Sequence, residues 1–555
     1  MKKIKRISFL IFLLFTGIVG AFAQRSGAII GRVVDSDNLA LPSANVLIES
    51  INKGAISDLN GYFSLLGVPE GEYEVSVTYI GFLPQKQKVA VVPNKTASLD
   101  FKLQPGVELE GIVVEGSMKG QAKALTAQLN SPNIVNIISS DQMGRFPDAN
   151  IGDALKRIPG INVQYDQGEA RFGNVRGMAP QLNSVTINGD RIPSAEAEIR
   201  SVQLDLVPSD MIQTIEVNKA VTPDMDADAI GGSINLVTRS NPYKQRLSVN
   251  IGSGYNVLAE KPIYQGSVVY GNRFFNKKMG LVVSASYHNH HLGSDDIEAD
   301  WDYEDENDKN RSAFTEELQI RQYDVQRIRQ SYSASLDYKI NNNHKLFLNG
   351  IYNWRNDWEN RYRVTYSDIE FDGTEWMTEI NRETKAGSED HKHARLEDQK
   401  MMNFSVGGEH FIGKTKLDWS GSYAKANEER PHERYLAFKA EDVTISPDFS
   451  NTKKPKITVV NPVSASDFSN DYEFDELTEE YQYTEDIDKN FKLNFTRPIA
   501  NGSNSSTIKV GGKYKTKKKE RDNWLNEYEP IDEDAFTLAT LSNLKNLSKN
   551  DFLAG

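Results

Sequence analysis

The stretch RFPDANIGDALKRIPGI, residues 145–161, decides the fold. Its centre, residues 148–158, reads as a capped helix that Pro159 and Gly160 end. A second capped helix is predicted over residues 139–143. Strands are predicted before and after these helices, at residues 133–138, 161–165, 185–189 and 215–219. The mixture predicts an α+β domain over residues 124–240, although the pattern by itself names no function.

Three further segments follow in the same region: RFGNVRGM at 171–178, TINGDR at 186–191 and DMDADAIGGSINLVTR at 224–239. With residues 145–161 they resemble the plug domain of TonB-dependent outer-membrane receptors. Each segment alone is a weak signal, but four in order over about a hundred residues form a specific pattern. The glycines fit, because a backbone that turns sharply inside a barrel favours residues without Cβ. The resemblance implies a plug folded inside a β-barrel.

Two basic residues of this region are candidates for contacts between plug and barrel. Arg176 would lie inside the barrel, where its charge requires a carboxylate on the wall. The family has a similar arginine that locks plug to barrel, so the resemblance implies this role for Arg176. Lys219 stands where family members often have a second arginine. Lysine lacks the bidentate fork, which argues against a second lock of the same kind. Arg176 and Lys219 are therefore the expected lock residues.

The first 23 residues have the features of a secretory signal peptide. Four basic residues at positions 2, 3, 5 and 6 precede an apolar run from Ile7 to Phe22, and the small residues Ala21 and Ala23 occupy positions −3 and −1 of a cleavage site after Ala23. The alternative is an uncleaved membrane anchor, but the run is shorter than the ~20 residues that span a bilayer comfortably. The mature chain is therefore expected to leave the cytoplasm.

Residues 24–103 are predicted to form a small β-sandwich. Short alternating runs, separated by turn residues, lie at 28–34, 44–48 and 73–77. The stretch resembles the carboxypeptidase regulatory-like domain through GRVVD at 31–35, LPSANV at 41–46, NGYF at 60–63 and YIGF at 79–82. A zinc peptidase needs clustered histidine and carboxylate ligands, and this stretch contains no histidine. We expect a non-catalytic interaction module in the periplasm.

Residues 104–123 lose the strand pattern and are predicted to form a polar linker. Within it lies EGIVVE, which comprises Glu110, Gly111, Ile112, Val113, Val114 and Glu115. By itself this is a short β-prone segment that could be an edge strand. A mobile strand of this kind can also add to a partner's sheet, since its backbone donors and acceptors are free. Its position before the plug resembles that of a TonB box, which implies pairing with TonB and its inner-membrane energising complex.

From residue 241 to residue 555 the sequence predicts the N-terminal portion of a transmembrane antiparallel β-barrel. Apolar and polar positions alternate, with Tyr and Trp near the ends of the apolar faces, for example over 331–340, 417–423 and 508–515. A soluble sandwich also alternates, but it buries its apolar face and rarely rings it with aromatic residues. Segments of ~10 residues with one apolar face fit a barrel with its polar face inward and its apolar face toward lipid.

Two long polar insertions, residues 295–308 and 440–485, are predicted to be loops, and the first is strongly acidic. A solvated loop is the simpler interpretation of such charge, and ligand contact is the alternative. About ten strand candidates are present, whereas barrels of this family have about twice as many. The last residues, 551–555, do not form the usual terminal aromatic strand. The chain is therefore expected to be a fragment that does not close the family's barrel.

Two motifs suggest other chemistry. GEHFIGKT at 408–415 has phosphate-loop spacing, but such a loop works between a strand and a helix, and here two period-two strands flank it. A hairpin turn is therefore predicted. His288, His290 and His291 could bind a metal, since the first two share a strand face, but an ordinary strand end is the favoured interpretation. We expect no catalytic residue, no cofactor and no metal.

Bulk properties set further limits. The chain of 555 residues carries a net charge of −13, which argues against nucleic acid as a partner. It contains no cysteine, which excludes disulfides, thiolate metal sites and a lipoprotein anchor. The mean hydropathy of −0.53 excludes a bundle of transmembrane helices.

The combined prediction is a mainly β outer-membrane receptor that is not an enzyme and that imports a bulky nutrient with energy from TonB. Ferric siderophores, glycans and peptides are all open as cargo. The expected partners are TonB, the nutrient, outer-membrane lipid and, as a further candidate, a surface lipoprotein. The alternative is an outer-membrane protein that binds ligand for signalling or adhesion without transport. The N-terminal domain and the plug are expected on the periplasmic side of a Gram-negative outer membrane.

Overall fold

The computed structural model describes residues 26–531, apart from 36–39, 59–60, 80–81, 105–123, 126, 130, 132, 144–149, 198, 224, 228, 240–244, 304–312, 387–394, 414, 461–471 and 502–503. The predicted signal peptide, the predicted TonB box and the start of the stretch 145–161 therefore lie outside the described residues. Among the helices that are described, none is long and apolar enough to cross a membrane.

The N-terminal domain is a sandwich of two four-stranded sheets. Its strands are β1 (Ser26–Val34), β2 (Asn45–Ile48), β3 (Lys53–Ile56), β4 (Tyr62–Pro69), β5 (Gly71–Thr78), β6 (Gln85–Val91), β7 (Thr96–Ser98) and β8 (Phe101–Lys102). One sheet has the order β4-β1-β7, with β8 also paired to β1, and the other has the order β3-β2-β5-β6. Ile29, Val46, Phe63 and Val75 lie in the apolar core between them. The predicted β-sandwich is confirmed.

The plug is the α+β region that follows. It contains β9 (Val135–Ser139), α1 (Ser140–Met143), α2 (Ile151–Leu155), β10 (Ile161–Asp166), β11 (Glu169–Val175), β12 (Asn183–Ile187), β13 (Asp190–Arg191), β14 (Ile212–Asn218) and β15 (Gly232–Thr238). Five strands form a sheet in the order β13-β12-β15-β14-β9, and β10 pairs with β11 in a separate hairpin. Asn150 caps α2, because its side chain accepts a hydrogen bond from the Asp153 amide at 3.0 Å. The fold agrees with the prediction, except that the helix predicted over 148–158 ends at Leu155.

A large antiparallel sheet, called the wall below, follows the plug. Its strands are β16 (Arg246–Asn256), β17 (Lys261–Phe274), β18 (Met279–Tyr303), β19 (Ala313–Lys339), β20 (His344–Phe371), β21 (Trp376–Ala386), β22 (Arg395–Ile412), β23 (Thr415–Asp448), β24 (Lys456–Val459), β25 (Glu473–Asn501) and β26 (Asn504–Glu527). The order is β16-β17-β18-β19-β20-β21-β23-β25-β26. Strand β22, like β21, pairs with both β20 and β23, and β24 pairs with β23. The described wall is an open sheet of eleven strands.

The two faces of the wall differ as the sequence predicts. In β19, Ser331, Ser335 and Asp337 are buried, while Tyr332 and Tyr338 are exposed. Side chains alternate between faces along a strand, so the polar face turns toward the interior and the aromatic face turns outward. The apolar core of the plug also includes three residues of the wall, Ile351, Met401 and Ala426. The plug therefore packs against the inward, polar face of the wall.

The prediction of long loops is wrong for most of the described residues of both insertions. Residues 295–303 belong to β18 and pair with β19, and much of 440–485 belongs to β23, β24 and β25. With 27 residues, β19 extends about 90 Å at about 3.3 Å per residue, whereas about 10 residues cross a membrane. Acidic residues are compatible with this strand pair because Arg321 of β19 lies 2.7 Å from Asp296 and 2.5 Å from Glu298.

The segment 408–415 forms a hairpin, as predicted. Strand β22 ends at Ile412, which pairs with Thr415 at the start of β23. Gly413 lies between them with a φ of 58°, a conformation that glycine adopts without steric cost. The phosphate-loop interpretation is therefore excluded by the local structure.

Gly31 provides a test of the N-terminal sandwich. A Cβ at this position would lie 1.7 Å from the carbonyl oxygen of Leu99, which follows the parallel partner strand β7. We expect Gly31→Ala to destabilise the domain by about 3 kcal/mol, because the backbone must move to admit the methyl group. Faster amide hydrogen exchange in residues 26–104 of the whole protein would report the loss. Gly54→Ala is the matched control, since its Cβ would lie 3.3 Å from the nearest atom. Equal exchange in both variants would contradict this account.

Candidate functional site

The hairpin β10–β11 points from the plug into the wall. Asp166 pairs with Glu169 across a two-residue turn formed by Gln167 and Gly168. Both turn residues have positive φ, 50° and 82°, which is the geometry of the tight hairpin turns that favour glycine. The short turn places Gln167 and Glu169 at the tip.

Arg171 of β11 fixes the hairpin to the rest of the plug. Its guanidinium pairs with Asp166 on the opposite strand and with Glu196 in the segment after β13. Burial raises the pKa of the Glu196 carboxyl, although the charge of Arg171 opposes this effect. The ion pairs of Arg171 therefore fix the position of the hairpin tip relative to the rest of the plug.

Facing the tip, the wall presents three arginines with almost no solvent exposure. Arg327 and Arg329 of β19 and Arg355 of β20 are among the largest fully buried side chains among the described residues. The strand register places Arg327 opposite Asp357, but it places Arg329 opposite Arg355. Like charges directly opposite each other destabilise a strand pair. This part of the wall therefore requires carboxylates from elsewhere.

The plug supplies two of them. Glu169 lies 2.7 Å from the Arg327 guanidinium and also pairs with Arg329. Asp205, in the short 3-10 helix Leu204–Leu206, pairs with Arg355. Each of the three arginines thus has a carboxylate of the plug within reach.

The wall's own nearest carboxylate is Asp357, which binds Arg327 at 2.7 and 2.8 Å. Glu397 is 3.7 Å from Arg355 but lies closer, at 2.5 Å, to Arg430. In direct contact, three guanidinium groups of the wall thus face one wall carboxylate and two plug carboxylates. With the plug in place, each of the three arginines has a plug carboxylate as a partner.

Glu169 stays ionised in this environment. Burial by itself would raise the pKa of the Glu169 carboxyl, but Arg329 and Arg327 outweigh burial and hold the pKa well below its usual range. The charge of the hairpin tip therefore persists at neutral and mildly acidic pH.

The contact continues along the wall on both sides of the tip. The Gln167 amide donates to Glu359, which binds Arg395 at 2.7 Å, and Arg395 lies 3.2 Å from Glu433. At the other end of the wall, Lys513 of β26 lies 2.8 Å from Asp226 of the plug. Plug and wall therefore meet at several separate charged contacts.

The two predicted lock residues have other contacts in the described structure. Arg176 is exposed, and its guanidinium donates to the carbonyl oxygens of Gly231 at 3.0 Å and Ile230 at 3.1 Å, both in the plug. The amide of Lys219 donates to Ile134 at 2.9 Å. The pairing of Arg176 and Lys219 with wall carboxylates therefore stays a prediction. The role of Glu110–Glu115 as a TonB box also stays a prediction, because this segment lies outside the described residues.

The histidines lie in the middle of β18 and not at a strand end, which corrects the prediction. His288 and His290 stack with ring centroids 5.5 Å apart and face the plug. The Nε2 atom of His288 is 3.8 Å from Asp210, and the Nδ1 atom of His290 is 3.8 Å from Glu169. Within the described part of the chain, no group of three or more His, Asp or Glu is arranged to hold a metal ion.

The residues that form the main contact are not among the predicted site residues. A signal was present for the wall side, because Arg327 and Arg329 occupy alternate positions of a strand whose inward face is polar. Glu169 carries no comparable signal, since it looks like an ordinary turn-flanking residue. Its partner is 158 residues away in the sequence.

Comparisons with known proteins agree with this architecture. The family model of the TonB-dependent receptor plug domain matches residues 127–233, and that of the CarboxypepD_reg-like domain matches residues 29–114. The second match ends inside the segment Glu110–Glu115, so the predicted domain boundary at residue 103 stays a prediction.

Several curated proteins match parts of the chain. The TonB-dependent receptor SusC of Bacteroides thetaiotaomicron is 27% identical over 282 residues, which cover 49% of this chain and 26% of that protein. The vitamin B12 transporter BtuB of Photobacterium profundum is 29% identical over 122 residues, 22% of this chain and 20% of that protein. A mutant of the ferric enterobactin receptor from Pseudomonas aeruginosa covers 68% of this chain and 75% of its own, at 11% identity and a TM-score of 0.34. The curated matches thus span about a fifth to a quarter of those relatives.

The order of the regions defines the class of protein: an outer-membrane protein with a plug against the polar face of a large antiparallel sheet. More specifically, the chain carries the plug domain of the TonB-dependent receptors, preceded by a carboxypeptidase regulatory-like domain. Its location is the cell outer membrane. The matched relatives are receptors and transporters.

The ion pairs of Glu169 make a direct prediction. Glu169→Gln removes the carboxylate that Arg327 and Arg329 share, so we expect plug docking to weaken by about 3 kcal/mol, the usual effect of breaking a buried pair. Urea titration with hydrogen exchange of β10 and β11 would measure it. Glu298→Gln is the control, because its pair with Arg321 is half exposed and such pairs contribute about 1 kcal/mol or less. A larger effect of the control would contradict the assignment.

Proposed function

We propose that this chain forms the plug and part of the wall of an outer-membrane importer, in which TonB pulls on the plug and opens a path for a bulky nutrient. The observation that carries the proposal is the buried contact of Glu169 and Asp205 with the wall arginines. A plug held in this way covers the inner face of the wall until its ion pairs are separated.

Charged contacts suit a closure that must open. A buried ion pair contributes little net stability compared with apolar contacts of similar size, because both ions lose their hydration. When the plug moves and water enters, each ion regains hydration. Apolar contact between plug and wall is limited, within the described core, to Ile351, Met401 and Ala426. Separation therefore exposes little apolar surface.

TonB is the proposed source of energy. Residues 110–115 would act as a strand that pairs with a sheet edge of TonB. Backbone hydrogen bonds between the two strands would transmit the pulling force. The segment lies between the N-terminal domain and the plug. Force on it would therefore reach the plug directly. No chemical reaction by this chain is required in this scheme.

Cargo would bind at the end of the wall that carries the long hairpins. There, three aromatic rings lie together: the ring centroid of Phe449 is 6.2 Å from that of Trp301 and 5.7 Å from that of Trp376. Aromatic surfaces of this kind accept large, partly apolar ligands. Ferric siderophores, glycans and peptides are all candidate cargo. The names of the relatives, a vitamin B12 transporter among them, do not favour one class.

Replacement of Val113 by proline tests the transport proposal. Proline removes a backbone donor and fixes φ, so we expect Val113→Pro to reduce energised uptake about tenfold or more, while ligand binding to whole cells stays unchanged. Growth on a ferric siderophore as the sole iron source, or on a glycan or peptide as the sole carbon source, would measure uptake. Val107→Pro, in the same linker but outside 110–115, is the control.

The outcome separates two functions. Equal growth of the Val113→Pro and Val107→Pro strains would contradict a TonB-driven importer. If the receptor binds ligand but no tested nutrient supports growth through it, a receptor for signalling or adhesion becomes the better account.

A further inference from the structure

The N-terminal domain and the wall meet at the end of the wall that carries the short turns. Ile30 and Tyr62 of the domain line a cavity of about 280 Å³ together with Asn342 and Lys345 of the wall. Strand β4 of the domain also lies near β25 of the wall. One sheet of the sandwich therefore forms this contact.

Strand β1 shows how much of the sandwich this contact covers. Side chains alternate along a strand, and Ile29 and Val33 belong to the core of the domain. Ile30 and Arg32 point to the opposite side, yet they are only 9% and 6% exposed. The turns of the wall help to shield Ile30 from solvent. The outer face of β1 is thus part of an interface.

Tyr62 connects the two regions. Two cations lie near its ring: the Arg32 guanidinium of the same domain, 5.1 Å from the ring centroid, and the Lys345 ammonium of the wall, 4.7 Å from it. A cation over the face of a tyrosine ring within about 6 Å is attracted by the negative face of the ring. Tyr62 therefore contributes a specific contact between the domain and the wall.

The charges of the two surfaces are complementary. On the wall side, Asp337 and Glu409 already pair with Arg273 and Lys416, at 2.7 and 2.9 Å. Lys339 and Lys345 add positive charge at the same cavity.

On the domain side, Asp58 and Asp100 line the cavity. Two lysines of the wall therefore share one cavity with two carboxylates of the domain, and opposite charges on the two surfaces favour docking in one orientation.

We propose that the N-terminal domain docks on the periplasmic turns of the wall through the outer face of β1 and β4. The docking partner of the domain is thus the wall of the same chain. Tyr62 contacts Lys345 directly, and Asp58 and Asp100 supply negative charge at the cavity that Lys339 and Lys345 also line. This interaction surface is independent of cargo and of import.

Chemical cross-linking in the whole receptor tests the docking. The chain contains no cysteine, so Ser98→Cys and Asn342→Cys, on opposite sides of the cavity, create a single reactive pair for a short bismaleimide. We expect efficient cross-linking in membranes at about 0.05 M NaCl and an approximately threefold lower yield at about 0.5 M, because salt screens the charges.

Variants of Lys345 identify the cause. Lys345→Glu is expected to lower the yield about threefold at low salt, whereas Lys345→Arg retains a cation over Tyr62 and preserves it. Lys88→Glu, an exposed lysine on the edge strand β6, is the matched control and leaves the yield unchanged. No cross-link in the parent would overturn the docking. A yield that is insensitive to Lys345→Glu, or equally reduced by Lys345→Arg, would overturn the role of charge.

Discussion

Three guanidinium groups on one face of the wall, with one wall carboxylate in direct contact, impose the constraint on which the rest of the structure depends. Arg327, Arg329 and Arg355 are almost fully buried, and a buried charge without a partner is strongly unfavourable. Glu169 and Asp205 of the plug provide the missing carboxylates. The position of the plug against the wall follows from this balance.

The same constraint explains the form of the plug. A two-residue turn brings Gln167 and Glu169 to the tip of a hairpin, and Arg171 fixes the hairpin at its base. The strands of the wall carry their polar side chains on the face that the hairpin meets, as expected for a sheet that turns its apolar face to lipid. Since this contact consists mainly of ion pairs, it fixes one position of the plug, and its ions regain hydration when plug and wall move apart.

Local features of the structure could be predicted from the sequence, because they depend on residues close together in the chain. A helix is present within the predicted span 148–158, although α2 ends at Leu155, before Pro159-Gly160, and alternation identifies the two faces of β19. The acidic run at 295–308, of which residues 295–303 are described, was predicted to be a loop, since charge runs are usually solvated. The structure extends it as a strand because Arg321 on the partner strand balances Asp296 and Glu298.

The contact between plug and wall could not be predicted in this way. Glu169 and Arg327 are 158 residues apart, and no local pattern connects them. The arginine suggested by family resemblance, Arg176, binds carbonyl oxygens within the plug. Its role in a lock, and the role of residues 110–115, rest on resemblance alone and stay predictions.

The central claim is that the plug tip must leave the wall during import, and a reversible tether tests it most directly. Gln167→Cys and Glu359→Cys place thiols at a direct contact between plug and wall in a chain that has no other cysteine. A short reducible cross-linker would join them, and the same double variant without cross-linker is the control. We expect energised uptake to stop while the tether is present and to return after reduction, with ligand binding unchanged throughout. Continued uptake with the tether in place would contradict the account.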